Sequence, residues 1–195
     1  MNRVSILSLL LAFVLAACAS TGESMGDYTA QAPKTAWIVG ADGAQIGQAT
    51  FRDGPNGVLI QLEFAPGGLP AGWHGLHLHQ RGDCSDFATG FQASGGHLGM
   101  GERVQHGLLN PRGPEAGDLP NIFAPGAGVF AAEVFAPLAT LGPRVPGNAN
   151  RPERLSLLDA DGSALLIHAG PDDQISQPIG GAGARIACAA ITPLP

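Results

Sequence analysis

The apolar residues of this chain recur at every second position, in short runs, and no long segment keeps a helical period. Val58, Ile60, Leu62 and Phe64 share one face of such a run, while Gln61 and Glu63 fall on the other. A period of two marks a strand buried on one side, which points the chain toward an all-β fold. Its 29 glycines and 16 prolines suit short strands joined by many turns. Further strands are expected at 36–39, 48–51, 129–135, 155–158, 163–168 and 185–191, and Asp42-Gly43 is a hairpin signal between the first two. With 45% hydrophobic residues over 195 positions, the chain can bury one real core, and no repeat or second domain is visible. Charged residues are only 13% and the net charge is −6, so the chain lacks the basic stripe of a nucleic-acid binder.

Between the strands lie two long Gly- and Pro-rich stretches, 82–125 and 169–183, and a third at 137–152 that reads as a surface connection. Loops of that length in a compact domain are commonly functional. The chain has six histidines, and four fall into a metal-like pattern: His77 and His79 two apart, His97 after Gly95-Gly96, and His168 at the end of a strand-like run. Two positions apart on a strand, His77 and His79 face the same way while Leu76 and Leu78 face the core. Four imidazoles suit copper, zinc, iron or nickel. A second set, His97, His106, Glu115 and Asp118, offers two imidazoles and two carboxylates, which suits tetrahedral zinc. His97 belongs to both sets, and an imidazolate has two nitrogens with which to bridge two metals. Glu115 reads equally well as a solvated loop carboxylate.

Residues 1–17 look like an export signal: Arg3 precedes a short apolar run, too short for the roughly 20 residues of a membrane span. The ending Leu15-Ala16-Ala17-Cys18 resembles a bacterial lipoprotein signal, which implies cleavage before Cys18 and a lipid anchor on its thiol. No Asp follows Cys18, which in such lipoproteins favours the periplasmic face of the outer membrane; without lipid the product would be soluble in the periplasm. Residues 18–34 read as a flexible tether and 35–195 as the folded domain. Cys84 and Cys188 remain, and an exported protein is expected to pair them.

Several segments in order carry a family resemblance: His74-Gly75-Leu76-His77-Leu78-His79, Gly82-Asp83-Cys84, Gly95-Gly96-His97, Gly107, Ala116-Gly117-Asp118-Leu119-Pro120-Asn121, Ile167-His168 and Gly183-Ala184-Arg185-Ile186-Ala187-Cys188. From Trp37 to Ile191 the chain resembles the copper–zinc superoxide dismutases, and within them the bacterial exported branch. The resemblance implies a Greek-key, eight-stranded β-barrel or sandwich, immunoglobulin-like, with long metal-binding loops. It implies copper on His77, His79, His97 and His168, with His97 bridging to zinc on His106 and Asp118. It implies a Cys84–Cys188 disulfide, Arg185 as the cation that attracts superoxide anion, Asp172 as a carboxylate linking a copper ligand to a zinc ligand, and His74 as a structural histidine. It admits a homodimer or a monomer.

Two departures fall in the zinc loop. Glu115 stands where the family usually has histidine, and there is one extra residue between His97 and His106, with 98–101 departing from the usual Phe-Asn-Pro run. Zinc is therefore expected to bind a His₂/Glu/Asp set, weakly or not at all, with catalysis at copper retained. The competing reading is a periplasmic copper-binding or copper-buffering lipoprotein without fast turnover. Arg185 argues against it, since storage needs no anion guide. A purely structural sandwich domain is disfavoured by the four retained histidines.

Overall fold

The computed structural model describes residues 31–99, 101 and 103–193. The expected export signal, Cys18 and most of the tether lie outside the described residues. Among the described residues there are ten strands: β1 Lys34–Gly40, β2 Gln45–Gly54, β3 Gly57–Phe64, β4 Gly72–His79, β5 Asp118–Ala124, β6 Phe130–Ala136, β7 Ala139–Thr140, β8 Leu155–Ser156, β9 Ser163–His168 and β10 Arg185–Ile191. Two single turns of 3₁₀ helix, Phe87–Thr89 and Gln92–Ser94, interrupt the first long loop. Lys34, counted above with the tether, belongs to β1.

Eight strands form one antiparallel sheet in the order β5-β4-β9-β10-β1-β2-β3-β6. The end strands β5 and β6 lie against each other and curl the sheet into a nearly closed barrel. The chain crosses the barrel end from β3 to β4, turns from β5 into its neighbour β6 beside β3, and makes a long return from β6 to β9, the crossings of a Greek key. The alternation in β3 is realised as read: Val58, Ile60, Leu62 and Phe64 are buried and Glu63 is exposed. Leu76, Leu78, Leu119, Leu165 and Ile167 fill the barrel interior with them. Strand β9 is buried at all six positions because it is covered on both faces. Leu165 and Ile167 enter the barrel, while Ala164 and Leu166 pack outward with Cys188, Phe91, Cys84 and Phe87. That outer cluster, stapled by the Cys84–Cys188 disulfide, holds the first long loop against β9 and β10.

The stretches read as loops contain two strands. β5 occupies part of 82–125 despite Pro120. The β4–β5 register shifts between His74 and Leu76, whose partners are Ile122 and Leu119, so Pro120 and Asn121 bulge opposite the single residue Gly75 and no ladder pair is lost at Pro120. The stretch 137–152 is not wholly a surface connection: Ala139, Thr140 and Leu141 are buried, and β7 pairs in parallel with β8. The Asp53 carboxylate accepts the Leu141 N–H at 3.1 Å and ties this segment to β2. Of the strand expected at 155–158, Leu155–Ser156 alone is extended.

Candidate metal centre

Strand β4 carries the centre. Leu76 and Leu78 point into the barrel, so His77 and His79 point outward. Both are nevertheless fully buried, because the two long loops fold over that face. His97 is brought beside them by backbone pairing rather than by its own strand. The Leu98 N–H donates to Leu78 O at 2.8 Å, Gly117 N–H to Leu98 O at 2.8 Å, and Leu78 N–H to Gly117 O at 2.8 Å. This three-way closure needs a bare backbone at Gly117, where a Cβ would lie 2.2 Å from Leu78 O. His168 ends β9, opposite Arg185 in the ladder. Gly75, opposite the β5 bulge, turns to the second loop: its N–H donates to Gly170 O at 2.8 Å.

Each of the four rings spends one nitrogen on an acceptor. His77 donates from Nε2 to Asp172 at 2.8 Å, and His79 from Nδ1 to Gly95 O at 2.9 Å. His168 donates from Nδ1 to Gly183 O at 2.9 Å, and His97 from Nδ1 to Glu115 at 2.7 Å. A neutral imidazole that donates from one nitrogen presents a lone pair on the other. Those other atoms, His77 Nδ1, His79 Nε2, His97 Nε2 and His168 Nε2, are all buried and all without a hydrogen-bond partner. Ligand atoms of His77, His79 and His168 lie within 4.8 Å of one another, and the His97 ring stands 4.2 Å from His77 and 5.1 Å from His79, centroid to centroid. Burial pushes His79 down to about 2, helped by His97 and Arg185, and burial with the neighbouring His77 takes His168 down to about 4. Burial also lowers His77, against its bond to Asp172. Buried lone pairs without donors are costly, and a metal cation is the partner their chemistry fits.

The second set has the opposite character. His97, His106, Glu115 and Asp118 bring one ligand atom each within 4.8 Å of one another. His106 Nδ1 lies 2.7 Å from Asp118, and His97 Nδ1 lies 3.4 Å from the same oxygen. Glu115 is 4% exposed, which removes the solvated-carboxylate reading; its backbone N–H also donates to Asp118 at 2.8 Å. Burial opposes charge on His106, but its bonds to Asp118 and Asp172 together raise it to about 10. The same balance raises His97, through Asp118 and Glu115. Burial would raise Asp118 and Asp172, yet the histidines hold both carboxyls below the usual range. Two carboxylates and two imidazoles converging on one buried point are a donor set for a divalent cation such as zinc.

Asp172 joins the two sets: one oxygen takes His77 Nε2 at 2.8 Å, and the other lies 3.1 Å from His106 Nε2. His74 stands apart, its ring nitrogens on His168 O at 2.7 Å and Pro70 O at 2.9 Å. The Arg185 guanidinium is held by Phe91 O at 2.9 Å, Gly95 O at 3.0 Å and Ser94 Oγ at 3.3 Å. Phe91 reaches that position in the left-handed region, at φ 57°, a conformation uncommon for a bulky residue. Sequence reasoning missed Phe91, Ser94, Gln174 and Gln177, which act through backbone carbonyls or short polar contacts and carry no motif of their own.

Residues 45–191 match the family model of copper/zinc superoxide dismutase (SODC). A Cu-Zn superoxide dismutase of Caulobacter vibrioides is 46% identical over 157 residues, covering 80% of this chain and 84% of that one. One from Aquifex aeolicus is 40% identical over 154 residues, covering 79% and 83%. A SOD-like protein from Bacillus subtilis superposes with a TM-score of 0.68 at 29% identity, covering 84% of this chain and 99% of that one. The Cu/Zn superoxide dismutase from Brucella abortus gives 0.57 at 27% identity, over 82% and 99%.

Proposed function

Since the chain belongs to the copper/zinc superoxide dismutase family, we propose that it dismutes superoxide to dioxygen and hydrogen peroxide in the bacterial cell envelope, with copper on His77, His79, His97 and His168 and a variant zinc site on His97, His106, Glu115 and Asp118. The observation that carries this reading is the set of four buried imidazole nitrogens left without a partner. When bound, copper supplies the one-electron cycle that oxidises one superoxide and reduces a second. The chain supplies the rest. Gly95 O, Gly183 O and Asp172 orient the rings of His79, His168 and His77 by accepting their other N–H. His97 Nε2 would hold and deliver a proton toward the peroxide product, while Nδ1, 2.7 Å from Glu115, faces the second set. Arg185, always cationic, draws the anion in with its guanidinium fixed on three oxygens.

Glu115 in place of histidine keeps an oxygen donor aimed at the second site, so the variant set remains a zinc site of His₂/Glu/Asp composition, with weaker zinc binding than a three-histidine set. Location follows the N-terminus: residues 1–17 direct export and Cys18 carries the lipid that anchors the domain at the periplasmic face of the outer membrane. Mass spectrometry of the mature protein checks this; a mass lacking the acyl increment on Cys18 removes the anchor and leaves a soluble periplasmic enzyme.

The deciding experiment is superoxide decay by rapid kinetics with the copper-loaded domain from Ser20 onward. The expected second-order rate approaches the diffusional ceiling, roughly 10⁸–10⁹ M⁻¹s⁻¹. A rate that disappears once free copper is chelated would leave copper binding without fast turnover.

A further inference from the structure

The loop 169–183 carries Asp172, and the segment 105–121 carries His106 and Asp118. Polar bonds that use no metal-donor atom tie the two together. Gln177 brackets the His106 peptide: its Oε1 accepts the His106 N–H at 3.1 Å, and its Nε2 donates to His106 O at 2.8 Å. Gln174 accepts the Leu108 N–H through Oε1 at 3.2 Å, donates from Nε2 to Leu119 O at 3.2 Å, and accepts the Leu109 N–H on its own carbonyl at 3.1 Å. Asn121 brackets the Asp172 peptide in the same manner, donating to its carbonyl at 2.8 Å and accepting its N–H at 2.9 Å. The two segments meet so closely that a Cβ on Gly107 would lie 2.2 Å from Gln174 O. Inside the loop, the Gln174 N–H donates to Asp172 at 2.6 Å, and Asp173 accepts the N–H groups of Ile175 and Ser176 at 2.8 and 2.7 Å. Gln177 is itself exposed and Gln174 half-buried, so their bonds are spent on loop-to-loop closure rather than on filling the core.

We infer that Gln177, Gln174 and Asn121 are positioning residues: a clamp that seats Asp172 between His77 and His106 without any metal in the second site. The inference rests on the reading of His77 as a copper-side ligand. Its consequence is that the orientation of the copper-side imidazole is set by side-chain amides, so a weakened zinc site does not loosen it.

Hydrogen exchange on the metal-free protein tests the clamp without reading turnover. The amides of His106, Leu108, Leu109 and Asp172 are expected to be protected in the wild type. In Gln177→Ala the His106 amide should exchange about tenfold faster or more, the worth of one or two net hydrogen bonds, while β2 and β3 amides stay unchanged. Gln177→Glu keeps the acceptor for the His106 N–H and should fall between the two. The copper signal in electron paramagnetic resonance supplies the second readout. With copper alone, Gln177→Ala should shift this signal away from that of the wild type and Gln177→Glu should lie closer to it; a Gln177→Ala signal identical to the wild type would overturn the inference. The inference is overturned if these wild-type amides are protected only after zinc is added, or if Gln177→Ala leaves their exchange unchanged.

Discussion

His77 makes one bond that orients it and leaves one nitrogen for a cation, and the same division holds at His79, His97 and His168. Replacing His77 by alanine removes a donor and strands the Asp172 carboxylate, so copper-dependent turnover should be lost; retained turnover of the chelator-washed variant would refute the assignment. Arg185 acts at longer range. It is the only basic residue from His168 to Cys188, in a chain of net charge −6, with Asp172 and Asp173 nearby in sequence. Local positive field must therefore offset the global one. Arg185→Glu should lower the second-order rate at low salt by about tenfold or more, with the difference shrinking as ionic strength rises; equal rates at low salt would remove the steering role. At Glu115, substitution by histidine takes one negative charge out of the second set and supplies a softer donor. Zinc affinity measured by chelator competition should rise, and an unchanged affinity would show that Glu115 is as good a donor as the histidine it replaces.

At the scale of elements, the site is assembled where β4 ends and two loops cross it. The weak point is the backbone closure among Leu78, Leu98 and Gly117, which seats the residue after His97 on β4. A methyl at Gly117 must displace Leu78 O, 2.2 Å away, or Leu98 N, 3.0 Å away. Gly117→Ala is expected to cost about 2–3 kcal/mol in urea denaturation, in the range for overpacking a well-filled site. It should also lower copper stoichiometry; a variant with full copper content and native stability would show that the closure yields. The outer cluster of Phe91, Ala164, Leu166 and Cys188 works at the same scale. It fixes the loop that presents three oxygens to Arg185, so packing around Phe91 and the aim of the guanidinium are one property.

For the whole molecule, the Cys84–Cys188 disulfide spans 104 residues and joins the first loop to the last strand. In the chain-entropy model a loop of that size stabilises by up to about 4.7 kcal/mol. Cys84→Ser with Cys188→Ser should therefore lower the unfolding free energy by several kcal/mol. Because the bond also pins the loop holding Arg185, the pair of substitutions should steepen the loss of activity on warming. A double variant as stable as the wild type under reducing conditions would assign the stabilisation to the packing of the outer cluster instead.

The alternation at Val58–Phe64 was enough to read an all-β chain, because a period of two has no other regular solution. The spacing of His77 and His79 was enough to place two imidazoles on one face, since strand geometry leaves no choice. Local signals failed where pairing partners decide. β5 was hidden by Pro120, which is tolerated because it sits in a bulge of β5 that leaves it no partner to bond. β7 has two residues, too few to show a period. Glu115 was ambiguous in sequence because a loop carboxylate looks the same solvated or buried; only the fold brings His97 and Asp118 to it. The sequence by itself determined the donor types and their order along the chain. The tertiary structure decided which nitrogen of each ring is spent and which is free, because that depends on carbonyls and carboxylates that lie elsewhere in the sequence, as far away as Asp172 lies from His77.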